Sequence, residues 1–418
     1  MAIKVYGFQK FNPNKFRYKR GNTEVILGPS QDTHFKIIFD GQCLQTLTRQ
    51  RGIGQYSLRL IQAVCLDNPE SNFGLLLNSI SSPQDLLEAK KLISNLNCPN
   101  LHLIYFNPFE SRKMMGLKDI QGELQIFLNQ LNPEWLITLS NFEKTQSVIP
   151  IPSSANYRRA SILYDLIPLQ YSDQLLISNR QRTSYHLALQ QMQEFDLLLS
   201  ISKESKIAWQ ELVNSQSNIE VIYGGGSQGI AKAGKDLANR RGLLCVSAEM
   251  PHKNIKRLIE AYSLLPIQTQ HDHPLIVVGI RSKGMRSFLE KHARKLSSNV
   301  FFPPYLIGAE LEDLYSGSRL LVMPSLVEGL SLPILEAWSH GFVAIGSANT
   351  VAEELIQDKN CLFDPTNPES MSKTITLGLT DDSFWKTSLV AQQKRFIEFT
   401  WEATSSRLIS AIKGGSRE

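Results

Sequence analysis

The chain has 418 residues, 42% hydrophobic and 20% charged, with a formal net charge of +5. That length exceeds one ordinary core and predicts two or three domains, and the composition is an ordinary globular balance with a mild net charge. No zinc-knuckle spacing and no basic heptad run marks a nucleic-acid reader, so no nucleic-acid partner is expected.

The opening residues, MAIKVYGFQKFNPNKFRYKR, lack the apolar core of a secretory signal. They concentrate positive charge instead: Lys4, Lys10, Lys15, Arg17, Lys19 and Arg20 face only Glu24 and Asp32. Such a run is either a solvated surface or a site of contact with an anionic surface such as a membrane leaflet, or with an acidic ligand. No apolar stretch reaches the roughly 20 residues a membrane-spanning helix needs. The five cysteines, Cys43, Cys65, Cys98, Cys245 and Cys361, are scattered without a C-x-x-C pair. That usage fits a reducing cytoplasm and no structural zinc.

Short apolar, β-branched runs then alternate with helical patterns. Residues 35–40 (FKIIFD), 72–78, 101–106, 135–140, 161–165, 197–202 and 219–223 read as strands of a first domain. Between them lie amphipathic stretches such as 54–64 and 82–96. The latter opens with Ser82 as N-cap, Pro83 at the first helical position and Asp85 in the first turn. Residues 243–248, 275–280, 300–303, 319–325, 343–347 and 361–363 repeat the pattern. Strands apolar on both faces and separated by helices imply parallel sheets covered on both sides. The expected fold class is α/β, with two doubly wound, Rossmann-like domains facing a central cleft. The expected bounds are 1–223 for the first domain, 224–234 for a linker, 235–390 for the second domain and 391–418 for a helical segment returning to the first.

The linker contains Gly224-Gly225-Gly226-Ser227-Gln228-Gly229, which satisfies G-x-G-x-x-G, with Glu249 about twenty residues on. The match is read as a flexible interdomain loop or a loop lining the cleft, in preference to a dinucleotide site. The strand before it closes a domain instead of opening one, and the segment after it is polar and poorly amphipathic. The triplet His271-Asp272-His273 reads as solvated loop, since ligands so close in sequence converge poorly on one ion. No metal site is expected.

The stretch PSLVEGLSLPILEAWSHG, residues 324–341, sets Glu328 ahead of a helix and Glu336 about one turn into it, with Pro333 just inside the helix start. It resembles the P-S-x-x-E-G-F-G-L-P-x-x-E-A-x-x-x-G segment of the retaining nucleotide-sugar glycosyltransferases of family four, which have the two-domain GT-B fold. Further segments agree in order and spacing: QRGIGQYSLRLIQAV, ILYDLIPLQ, LLLSISKES, VSAEMPHKNIKRLIEAY and FTWEAT. The resemblance spans roughly residues 35 to 412.

The resemblance implies transfer of a hexose-type sugar from a nucleoside-diphosphate donor to a saccharide or lipid-linked saccharide acceptor. It implies retention at the anomeric carbon and a place in cell-surface polysaccharide synthesis. The enzyme would be cytoplasmic, with contact at the inner membrane face compatible with the basic N-terminal run. The nucleotide sugar is a co-substrate, and no resident cofactor is expected. By resemblance, Glu328 binds hydroxyls of the transferred sugar and Glu336 those of the ribose. Backbone N–H groups of Gly329, Leu330, Ser331 and Leu332 hold the diphosphate, because a helix N-terminus offers unpaired donors and a favourable dipole. Lys253 is the expected cation. Relatives often carry an arginine earlier in that loop, where this chain has Ser247, Ala248 and Glu249; His252 or Arg281 is the expected substitute. Gly52 and Gly54 would bring backbone close to the donor, with Arg49 or Arg51 nearby, and Tyr164 and Asp165 would face the acceptor or serve a structural role. Departures at Ser331, Ala248 and Val343 leave a non-catalytic nucleotide- or sugar-binding module as the alternative, beside another GT-B-like enzyme such as a nucleotide-sugar epimerase.

Overall fold

The computed structural model describes residues 17–20, 23–26, 34–108, 117–143, 148–153, 156–213, 215–226, 239–304, 306 and 308–414. The side chains of the early basic run and residues 227–238, which include the end of the glycine-rich motif, lie outside the described residues. Strands β1 (Arg17–Arg20) and β2 (Thr23–Ile26) form a separate antiparallel pair.

The chain divides into two units. Met1–Ile201, Ser205–Ile222 and Thr404–Glu418 form one, and Ser202–Glu204 with Tyr223–Ala403 form the other. The first unit holds β3 (Ile37–Asp40), β4 (Phe73–Asn78), β5 (Leu101–Phe106), β6 (Trp135–Thr138), β7 (Arg158–Leu163), β8 (Leu197–Ser200) and β9 (Ile219–Val221). They make one seven-stranded sheet in the order β5-β4-β3-β6-β7-β8-β9, parallel throughout. Every residue of β3, β4 and β6 is buried, as helices on both faces require. The helix Pro83–Ser94 begins as its sequence dictates: the Ser82 hydroxyl accepts from the Asp85 N–H at 3.1 Å.

The second unit holds β10 (Leu243–Val246), β11 (Leu275–Val278), β12 (Val300–Phe301), β13 (Leu320–Met323), β14 (Val343–Ser347) and β15 (Leu362–Phe363). The order is β12-β11-β10-β13-β14-β15, again all parallel. The helix Ile255–Ser263 follows β10 and buries Ile255, Leu258, Ile259 and Tyr262, the i, i+3, i+4, i+7 face that 3.6-residue periodicity demands. In both sheets the chain's first strand lies inside, and connections leave it in opposite directions. The reversals fall between β3 and β6 and between β10 and β13, where open α/β sheets bind ligands beyond the strand carboxyl ends.

Gly225 and Gly226 have a packing reason. A Cβ at Gly225 would overlap the backbone of Trp401, and one at Gly226 the carbonyl of Leu335. These glycines let two chain segments approach, so the described part of the motif is not laid out as a phosphate turn.

A buried amide ties the helix Leu332–Ser339 to its sheet. Gln392 is wholly buried on the helix Asp382–Phe396. Its Oε1 accepts from the Trp338 indole at 2.7 Å and from the Ala344 N–H at 2.9 Å, and its Nε2 donates to the Ala344 carbonyl at 2.8 Å. Replacing it strands three buried polar groups, each costing about 1–3 kcal/mol less whatever relaxation recovers. Gln392→Leu should therefore destabilise the second unit by about 2–4 kcal/mol, read as an earlier denaturant transition in near-UV circular dichroism. An unchanged midpoint would contradict the role given to Gln392.

Candidate active site

The site of the second unit is built from the loops after β10 and β13. After β10 the chain makes a 3-10 turn, Pro251–Lys253, and Asn254 takes the left-handed conformation with φ 60°. Asparagine tolerates that region better than most residues. Its side-chain amide donates to the carbonyls of Pro324 at 3.0 Å and Pro365 at 2.8 Å. The Leu326 N–H donates to the His252 carbonyl at 2.8 Å, so the two loops are stitched together.

This stitching brings Lys253 onto Glu328. The ammonium Nζ lies 2.7 Å from both carboxylate oxygens, and the Ser325 hydroxyl donates to Oε1 at 2.6 Å. The two side chains are 17% and 10% exposed, so the pair is largely desolvated yet reachable. Burial, reinforced by the neighbouring Lys253 charge, lowers the pKa of His252 to about 4. At neutral pH this imidazole is uncharged, and it does not supply the second cation that the sequence left open. Beneath the pair, burial pushes the Cys245 thiol up to about 12.

The helix Leu332–Ser339 starts beside this pair, with Pro333 in its first turn and Ser331 as N-cap. Ser331 is 1% exposed, and its hydroxyl has no hydrogen-bond partner. No described residue accepts from the N–H groups of Leu330 or Ser331, whereas the Leu332 N–H donates to the Leu330 carbonyl at 3.1 Å. Two of the four expected amides, Leu330 and Ser331, are thus presented at the helix mouth, and that of Leu332 is used internally. Glu336 follows one turn later. Its Oε2 accepts from the Tyr315 hydroxyl at 2.5 Å, and the Tyr315 ring stacks on His340 at 5.2 Å. Burial holds the Tyr315 hydroxyl protonated, well above the ordinary phenol range, so it stays a donor and fixes the carboxylate. Nothing in the sequence pairs Tyr315 with Glu336, since the contact crosses between two helices.

Other expected residues take different roles. The carboxylate of Glu249 accepts from the N–H groups of Arg281 and Ser282, both at 2.6 Å, and so caps the following loop. It is committed there, which removes the acidic residue that a dinucleotide fingerprint would need. Gly279, with φ 102°, lies so close to the Ser247 carbonyl that any side chain would overlap it. The Gly242 N–H donates to His273 Nδ1 at 3.3 Å while Asp272 accepts from Gln268, so the His271–His273 triplet does not converge. Among the described residues no group of three or more His, Cys, Asp or Glu could hold a metal ion.

In the first unit Gly52 opens the helix Gly52–Asp67, and a Cβ there would meet open space. Gly54 is packed so tightly on Thr48 and Arg49 that a side chain would clash, which gives that glycine a structural reason. Arg49 is buried, with its guanidinium on the Thr46 carbonyl at 2.7 Å and on Asp85 at 2.8 Å, so it holds the loop instead of facing a ligand. Tyr164 is buried as well. Its hydroxyl lies 3.1 Å from Ser57 and its ring packs edge-on against Tyr56 at 5.5 Å, placing it behind the helix start and not on an open surface. Asp165 is half-buried and accepts from the Ile167 N–H at 3.1 Å.

The depressed His252 pKa has a consequence for stability. A folded value of about 4, below the ordinary 6.5, means folding disfavours the imidazolium. The contribution is complete above pH 6.5 and is lost as pH falls toward 4. His273 behaves alike and remains as background. The variant His252→Gln should show a smaller drop in melting temperature across that interval than the native chain. Equal slopes would contradict a buried neutral His252.

Residues 231–399 match the family described as Glycosyl transferases group 1. The chain is 25% identical over 407 residues to the serotype-specific mannosyltransferase WbdA of Escherichia coli, an alignment covering 91% of this chain and 48% of that protein. It is 32% identical over 173 residues to the O-antigen chain mannosyltransferase B of Escherichia coli, covering 41% of this chain and 45% of that one. The chain spans about half the length of these curated relatives. Among solved structures, Anabaena Alr3699/HepE in complex with UDP and glucose superposes with a TM-score of 0.67 at 16% identity, covering 91% of this chain and all of that one. The apo form of the lipopolysaccharide outer core galactosyltransferase WaaB gives 0.62 at 14% identity, covering 91% of this chain and 100% of that one. These likenesses identify the fold as the two-domain GT-B type. The part of the chain that is similar to the glycosyl transferases group 1 family, residues 231–399, carries the Lys253–Glu328 pair, the Ser331 helix start and Glu336.

Proposed function

We propose that the chain is a retaining glycosyltransferase that moves a hexose from a nucleoside-diphosphate sugar to a saccharide or lipid-linked saccharide acceptor, in the assembly of a cell-surface polysaccharide. The observation that carries this reading is the helix mouth at the β10–β13 reversal. Unpartnered amides of Leu330 and Ser331 and an orphaned buried Ser331 hydroxyl sit there beside the Lys253–Glu328 pair. Orphaned donors at a helix N-terminus suit an anion, and the leaving group of a nucleotide sugar is a diphosphate whose charge grows as the glycosidic bond breaks.

Each residue then has a defined task. The N–H groups of Leu330 and Ser331 donate to the diphosphate oxygens. Lys253 leaves Glu328 to neutralise the developing phosphate charge, which frees the Glu328 carboxylate to accept hydroxyls of the transferred hexose. Glu336, oriented by Tyr315, accepts from the ribose hydroxyls. The bond from the anomeric carbon to the phosphate oxygen breaks as the acceptor hydroxyl approaches the same face. The departing phosphate oxygen takes the acceptor's proton, and the configuration is retained. The donor enters as a co-substrate, and this reading assigns the protein no resident cofactor or metal. The names of the relatives favour mannose as the transferred hexose, while the HepE complex makes UDP-glucose the second donor to try. The basic N-terminal run suits an enzyme working at the cytoplasmic face of a membrane on a lipid-linked acceptor. No helix among the described residues is long and apolar enough to cross a membrane.

The test is an assay of nucleoside-diphosphate release and product formation with GDP-mannose, UDP-glucose and dTDP- and ADP-sugars. One donor should turn over with an acceptor present, and proton NMR of the product should show the donor's anomeric configuration. Glu328→Gln should lower kcat by about 10²–10³-fold. Glu336→Ala should weaken nucleoside-diphosphate binding about 10-fold or more, the loss expected for a charge-assisted hydrogen bond. Full activity in Glu328→Gln would overturn the role given to that carboxylate. Nucleotide binding without turnover of any donor would favour the binding-module alternative.

A further inference from the structure

The helix Lys283–Lys295 joins β11 to the sheet-edge strand β12 in the second unit, outside the β10–β13 reversal. Its inner side is held at several points. Leu289 and Ala293 are buried, and the Ser282 hydroxyl accepts from the Met285 N–H at 3.2 Å. The Arg286 guanidinium donates to the carbonyls of Ile280 and Pro303, both at 3.1 Å. His292 lies 3.3 Å from the Glu260 carboxylate on the helix Ile255–Ser263. These contacts fix the rotation of the helix, so the sequence decides what its outward face presents.

That face is basic. At 3.6 residues per turn, Lys283, Lys291, Arg294 and Lys295 fall on one side, with Phe288 at its margin. All four cations are exposed, and Phe288 is 53% exposed. The one acid of the helix, Glu290, is half-buried at the opposite margin. Other surface helices balance their charge. Glu88 lies 2.9 Å from Lys91 on the helix Pro83–Ser94, and Glu260 lies 3.6 Å from Lys256 on the helix Ile255–Ser263. Among the described residues no carboxylate comes within ion-pair distance of the four cations.

Within the protein this arrangement is unfavourable. Lys291 repels Arg294 and Lys295, three and four residues on. The helix dipole welcomes the cations of the last turn but opposes Lys283 in the first. Phe288 leaves much of an aromatic ring in water. An anionic bilayer reverses each of these costs. Every Lys or Arg near such a surface tightens binding about 5-fold, and an aromatic ring at its level enters the headgroup boundary. A soluble polyanion takes up the charges but leaves Phe288 in water.

We propose that the outward face of the helix Lys283–Lys295 docks on an anionic lipid bilayer, as a contact of the second unit separate from the basic N-terminal run. The proposal does not depend on the transferase reading. The experiment is co-sedimentation of the full chain with vesicles of equimolar phosphatidylglycerol and phosphatidylcholine, against pure phosphatidylcholine vesicles and against soluble heparin. We expect binding to the anionic vesicles alone of the two, weakened about 10²-fold when Lys283, Lys291 and Lys295 are all changed to glutamine. Changing the same three lysines to arginine should keep it. Phe288→Ser should weaken vesicle binding about 5-fold and leave heparin binding as it is. High salt should erase the difference between the glutamine variant and the native chain. A control variant changes Lys4, Lys10, Lys15 and Lys19 to glutamine. Vesicle binding lost in that control but kept in the helix variant overturns the proposal. So does a native chain that binds no anionic vesicle, or a Phe288→Ser variant that binds vesicles as the native chain does. Binding that fails in the helix variant of a chain that turns over no nucleotide sugar supports the docking face and refutes the transferase reading instead.

Discussion

Both units depend on one topological constraint. A parallel sheet whose first strand lies inside must send its connections both ways from that strand, and the loops on either side of the reversal cannot cover the gap between them. The sequence then decides what stands at the gap. In the second unit it is a cation and a carboxylate gripping each other beside a helix start. Desolvating two charges costs free energy that their attraction only partly returns, so such a pair is weak evidence for stability. In the proposed function it is a site held ready, in which each partner exchanges the other for a ligand group.

Three buried amides show how the scaffold is tied together. Gln42 donates to Asp40 and to the Ile149 carbonyl and accepts from Asn78 and the Ile149 N–H, while Asn254 and Gln392 bridge separate segments with both ends of their amides used or anchored. The orphaned buried hydroxyls of Ser331 and Thr138 stand at the two strand reversals, beside these networks. Other buried groups, such as the Ser161 hydroxyl and the Trp209 indole, also lack a partner, so what distinguishes Ser331 is its place at a helix start beside the Lys253–Glu328 pair.

Much of the scaffold was legible because parallel strands buried on both faces must be apolar throughout. The runs at 72–78 and 101–106 became β4 and β5 nearly to the residue. The run read at 161–165 begins earlier, at Arg158, because two arginines open the strand. Arg158 lies over the Trp135 ring at 5.5 Å, and Arg159 donates to the carbonyls of Pro152 and Glu194, so charged residues occupy a position that composition alone assigns to a loop. Local signals such as Ser82 and Pro333 were equally readable, since capping is decided within one turn. Long-range pairings were not. That Arg49 would be drawn onto Asp85, Glu249 onto the loop at Arg281, and Tyr315 onto Glu336 depends on which side chains the fold brings together.

The central claim is that the Ser331 helix mouth is built for a diphosphate, and a crystal structure of the chain grown with the nucleoside diphosphate it binds tests it most directly. The account predicts phosphate oxygens within hydrogen-bonding distance of the Leu330 and Ser331 N–H groups, the Ser331 hydroxyl engaged, and Lys253 turned from Glu328 toward the phosphates. A nucleotide bound elsewhere, with the Lys253–Glu328 pair intact and the Ser331 hydroxyl still without a partner, would contradict it.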